Sequence, residues 1–215
     1  MRKLIYVPII HSYADMGSLA KELNRESASV VGEENWHKHI DLVNDYWNEI
    51  ASYFENFDFH DKIIKIYQDG MFVDGEAALN IINEGINSGS KNSEIVSKLI
   101  RRGAILIKTE DFKMVKNEYD GFQSILKSKS NIQKIFSLLR YKILKGFYLL
   151  SRDKFISGRI AETLNQNETG ILFIGAYHNI IKRLPKDVTV IQLKEIAKVR
   201  KYQKALQSGS KIKTL

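Results

Sequence analysis

The chain has 215 residues, no cysteine and a formal net charge of +8. The missing thiols exclude a cysteine nucleophile, a thiolate zinc site and an iron–sulfur cluster, and they fit a reducing compartment. With 44% hydrophobic and 27% charged residues, the composition is that of a soluble globular chain able to bury a core without disulfides.

Leu4 to Ile10 reads as the first strand, ending in Pro8-Ile9-Ile10-His11-Ser12. Pro8 lacks a ladder donor, which predicts an irregular or locally edge-like strand end. The start of the chain runs straight into this strand, and no apolar run reaches the length of a membrane span. Neither a signal peptide nor a spanning segment is expected, and the location expected is cytoplasmic. Asp15 follows in a polar loop, close enough in sequence to join His11 at a site.

Glu34 to Phe57 is a helix, with Trp36, Ile40, Val43, Trp47, Ile50 and Phe54 on one apolar face. His37 and His39 lie two apart on it, a poor metal pair, and both read as surface or packing residues. His60 reads as incidental. Lys62 to Tyr67 is the second strand, running into Gln68-Asp69-Gly70. Helices are expected at 75–86 and 93–101, with a loop from Asn83 to Ser93. Ala104 to Lys108 is the third strand, followed by Thr109-Glu110, where Thr109 is the expected cap of a next helix.

Ser130 caps a long helical region from Asn131 to about Leu164. Its first half carries Ile132, Ile135, Leu139, Ile143, Phe147 and Leu150 on one face. In its second half the stripe passes to Leu149, Ile156, Ile160 and Leu164. At about 100° per residue Asp153 falls on that inward stripe with Arg152 on its flank. A buried carboxylate needs a partner, so the pair is either a structural lock or part of a site. Gly170 to Ile174 is a strand apolar on both faces, delivering Tyr177 and His178 to its carboxyl end, where open α/β sheets bind ligands. Asn179 is the expected cap of a following helix. Val188 to Ile191 is the last strand and Leu193 to Leu206 a final amphipathic helix.

Strands alternating with helices predict an α/β fold, a mostly parallel sheet with helices on both faces. Residues 1–207 form the expected single domain, and 208–215 a basic tail. His11, Asp69, Glu110 and His178 then all stand at strand carboxyl ends. Two imidazoles with one or two carboxylates suit a divalent metal, zinc or manganese, and equally suit metal-free acid–base chemistry.

The order of strand–Ile9-Ile10-His11, then Arg152-Asp153 with Arg159-Ile160, then Ile171-Leu172-Phe173-Ile174-Gly175-Ala176-Tyr177-His178 resembles the TraB/ChaN/Tiki/erythromycin-esterase-like superfamily. There a first strand ends in G-x-x-H, and an R-D helix with a later R-I precedes a strand ending in G-A-G-H. Here Pro8 replaces the first glycine and Tyr177 the second glycine of G-A-G-H. The resemblance covers the two ends of the chain; the middle matches in strand–helix rhythm. It implies a polar centre of His11, His178, Arg152 and Asp153, with Asp69 or Glu110 as its acidic residue. The group includes metal-dependent peptide hydrolysis, ester hydrolysis and haem-associated or regulatory members.

The expected function is therefore a metal-assisted hydrolase acting on a small molecule or peptide. His11, His178, Asp69 and Glu110 would be metal ligands or acid–base groups, and Arg152, Tyr177 and Asp15 substrate contacts. A non-catalytic anion-binding or regulatory module is the alternative. Nucleic-acid binding by the late cations, Lys194, Lys198, Arg200, Lys201 and Lys204 among them, is a third.

Overall fold

The computed structural model describes residues 1–10, 32–127 and 130–207. Arg2–Ile9 forms β1, Ile64–Gln68 β2, Ile105–Ile107 β3, Thr169–Gly175 β4 and Val188–Gln192 β5. They make one sheet in the order β3-β2-β4-β1-β5, every pair parallel. The α/β class with a parallel sheet is as the alternation implied.

Each central strand is buried on both faces with a two-residue period. Ile5, Val7 and Ile9, with Ile171 and Phe173, face one layer of core. Leu4 and Tyr6, with Leu172 and Ile174, face the other. The first layer is closed by α1 (Glu33–Glu55), α2 (Gly75–Asn87), α3 (Lys91–Arg101) and α6 (Ile196–Gln207). Trp47, Ile50 and Phe54 of α1 and Leu99 of α3 are its main anchors. The opposite face is covered by the second half of α5 (Asn131–Thr163), through Ile156 and Ile160. The first half of α5 packs along α4 (Phe112–Leu126) as a helical hairpin.

Pro8 fits because of where β5 stops. Tyr6 is the last residue of β1 paired with β5, opposite Gln192, while Pro8 is paired only with Ile174 of β4. The donor that proline lacks falls where β1 has no second neighbour.

The structure revises several local expectations. α2 continues to Asn87 and α3 begins at Lys91, so the connection is much shorter than the polar stretch 83–93 suggested. Gly85 stays helical and lets α3 approach, since a Cβ there would stand 2.2 Å from Ser93 Oγ. Asp111, not Thr109, caps α4, accepting from the N–H groups of Lys113 and Met114. Thr109 instead accepts from Gln68 N–H and donates to Ile107 C=O. Asn179 caps no α-helix: β4 is followed by a turn and one three-residue 3₁₀ segment, Ile181–Arg183. Ile40 of the α1 face is exposed, whereas His39 is buried as a packing residue. In the first half of α5, Ile132, Ile135, Phe147 and Leu150 all face outward. His11, Asp15 and the tail 208–215 lie outside the described residues.

Candidate functional site

The strand order decides what meets what. β4 lies between β2 and β1, so the turn after β2, carrying Asp69, sits beside the turn after β4, carrying His178. Asp69 N–H donates to Phe173 C=O, and Gly175 N–H returns a bond to Asp69 Oδ2 at 2.9 Å. A Cβ on Gly175 would stand 3.2 Å from that oxygen, so the glycine admits the carboxylate. β3 brings Glu110 to the same edge, where it accepts from Gly70 N–H at 2.9 Å.

Above this edge α5 presents Asp153, buried as the helical register predicts, and Arg152, which the register put on the flank and which is buried too. Arg152 is surrounded by carboxylates. Its Nε donates to Glu110 Oε2 at 2.6 Å and its Nη2 to Glu110 Oε1 at 2.5 Å. Its Nη2 also reaches Asp69, and its Nη1 reaches Glu118 of α4. Burial alone would lower the arginine's pKa; Asp69, Glu110 and Glu118 reverse this and raise it, so the guanidinium stays charged. Burial likewise pushes the Glu110 carboxyl up, helped by Asp69, and the Arg152 hydrogen bonds only partly offset this.

Asp153 holds His178. Its Oδ1 is 2.6 Å from His178 Nδ1, and its Oδ2 accepts Asn179 N–H at 2.9 Å. His178 Nε2 lies 3.7 Å from Asp69 Oδ2, beyond hydrogen-bond reach. Desolvation pulls the imidazole pKa down, but the Asp69 charge and the Asp153 bond together outweigh it, and the net shift is upward. Arg200 of α6 clamps the same turn by donating to Ala176 C=O and, at 3.1 Å, His178 C=O.

No family model, no curated protein and no solved structure matches the chain.

Of the residues named from the sequence, Asp69, Glu110, Arg152, Asp153 and His178 thus come together. Tyr177 is half-buried at the rim, with Lys145 Nζ 5.7 Å from its ring centroid. As arranged, Asp69 and Glu110 serve Arg152, and among the described residues no three His, Asp or Glu side chains stand as a metal-ligand set. A cation already occupies the centre of these carboxylates, so the described donors do not fit a divalent ion.

Three contributors escaped the sequence reading. Glu118 lies on a helix that no motif marked, and Arg200 was read only as part of a charge run. Tyr6 is fully buried, and its hydroxyl has no hydrogen-bond partner among the described residues. Desolvation raises its pKa, and Arg200, Asp69 and Asp153 are close enough to act on its ionisation. Its sequence signal was only a tyrosine at an inward strand position.

A cleft of about 640 Å³ opens at the His178 turn. Lys182, Arg200, Lys201 and Lys204 line it together with His178, and no carboxylate does. The other late cations are already paired: Lys194 with Glu49, and Lys198 with Glu195.

Proposed function

We propose that the chain is a hydrolase-like enzyme in which His178 transfers the proton and Asp153 orients it. The observation that carries this reading is the setting of His178. Its Nδ1 is fixed by a buried carboxylate, its Nε2 has no hydrogen bond among the described residues, and His178 is one of the residues lining the cationic cleft. Asp153 selects the tautomer protonated at Nδ1 and stabilises the imidazolium. Nε2 then accepts a proton from water as the water oxygen bonds to the acyl carbon of an ester or peptide. When the tetrahedral species collapses, the bond to the leaving group breaks and that group takes the proton back from Nε2.

Arg152 is a positioning residue here, because its donors are committed to Glu110, Asp69 and Glu118. Its expected contact with an anionic substrate passes to the cleft cations. Zinc or manganese would need donors beyond the described ones, with His11 the candidate. The likeness to the TraB/ChaN/Tiki/erythromycin-esterase-like superfamily supports the hydrolytic class, and the cysteine-free composition accords with a cytoplasmic site of action.

A second reading is favoured by the cleft itself: a non-catalytic module that holds an anion between Lys182, Arg200, Lys201 and Lys204. An ester and peptide panel, run with and without zinc or manganese, separates the two. Hydrolysis that falls by about a hundredfold or more in His178→Asn and Asp153→Asn, with folding retained, supports the enzyme. A chain silent under every condition that gains thermal stability from pyrophosphate supports the module. Salt-dependent retention on nucleic acid, lost on deleting 194–215, would favour the third reading.

A further inference from the structure

The first half of α5 has apolar residues that nothing among the described residues covers. Ile132 is 70% exposed, Ile135 64%, Phe147 65% and Leu150 41%. At about 100° per residue these four positions fall on one side of the helix, two near its start and two near its middle, so the exposure is one-sided. At 33 residues α5 is about 50 Å long. Its second half is spent on the sheet and its first half touches α4, which leaves the strip outward.

The charge on the same segment says what kind of surface suits it. Residues 131–150 hold four Lys or Arg and no Asp or Glu. Over the whole hairpin, 112–150, eight basic residues face two acidic ones, a net of +6. A second copy of this strip would bring the same excess of cations against itself, which disfavours self-pairing. A helical segment with exposed Ile, Leu and Phe, and with Lys and Arg as its only charged residues, is suited to the boundary of an anionic bilayer. There the apolar strip enters the acyl region and the cations meet headgroup phosphates. No helix of the described residues is long and apolar enough to cross a membrane, so the contact is peripheral.

We propose that the α4–α5 hairpin docks this protein onto anionic lipid surfaces through Ile132, Ile135, Phe147 and Leu150. Docking places the hairpin next to the site rim, since Lys145 of α5 already lies against Tyr177.

Vesicle flotation of the full chain tests this, using phosphatidylcholine alone and phosphatidylcholine with roughly one-third phosphatidylglycerol. The expected result is at least about tenfold more protein on the anionic vesicles, lost in Ile132→Glu/Ile135→Glu/Phe147→Glu. The native Trp36 and Trp47 are buried, so Phe147→Trp alone gives a second readout: its emission shifts blue on anionic vesicles. Three outcomes overturn the proposal. The native chain fails to float with anionic vesicles. The triple Glu variant floats as well as the native chain, which makes the attraction charge alone. Light scattering finds a dimer that the triple variant dissociates while neither form binds lipid, which makes the strip an interface between copies.

Discussion

Arg152 shows why a buried charge is informative only with its partners. Three carboxylates from three elements, Asp69, Glu110 and Glu118, converge on one guanidinium that is itself buried. Taken alone, such a cluster is weak grounds for stability, because desolving each ion costs much of what attraction returns. Removing the cation is another matter, since it leaves like charges packed together. Arg152→Met is expected to destabilise the fold by about 3–5 kcal/mol, read from denaturant unfolding. A variant as stable as the native chain would mean that these carboxylates are hydrated or protonated, and would remove Arg152 as the organiser of the site.

Among the elements, β4 carries the most. It pairs with β1 and β2, places His178 at its end, and is buried on both faces. Gly170, near its start, is hemmed in: a Cβ would stand 2.7 Å from Leu4 Cδ1 and 3.1 Å from Tyr67 Cε2. Gly170→Ala is therefore expected to cost about 1–3 kcal/mol through overpacking, measured as a lowered unfolding midpoint with unchanged m-value. No loss would show that Leu4 and Tyr67 move aside freely, and that the layer of core they belong to is looser than its burial implies. α5 divides at its middle by the same logic. The half over the sheet is apolar where it meets β4, and the half beyond the sheet keeps an apolar face for something outside the described fold.

At the scale of the molecule, two buried histidines set opposite pH responses. His39 ties α1 to α6 through the Tyr202 hydroxyl, and burial lowers its pKa to about 4. The unfolded chain binds that proton more readily, so this contribution is complete above pH ~6.5 and is lost as pH falls toward 4. At most about 3 kcal/mol is involved. His178 runs the other way. Its raised pKa stabilises the fold below pH ~6.5, and that stability is lost as pH rises through the folded value. Unfolding free energy measured across pH should therefore fall on the acid side in a manner abolished by His39→Gln. It should fall more gently on the alkaline side in a manner abolished by His178→Asn. A native profile unchanged by His39→Gln would show that His39 charges in the folded state.

Local pattern was enough for some of this molecule. Near-continuous apolar runs marked β1 and β4, because a parallel strand buried on both faces leaves no room for polar alternation. The 100° register alone placed Asp153 inward and Arg152 on its flank. Pattern failed where an outcome depends on neighbours remote in the chain. Nothing local says that β4 inserts between β1 and β2, yet that insertion is what sets Asp69 beside His178. Nothing in 112–126 marks Glu118 as a partner of Arg152, because the pairing exists only once α4 folds back along α5. Periodicity put Ile132, Ile135, Phe147 and Leu150 on one face, but it reports only that a face is apolar and is silent on whether anything packs against it. Local chemistry fixes which side of an element avoids water; chain packing chooses which groups meet there.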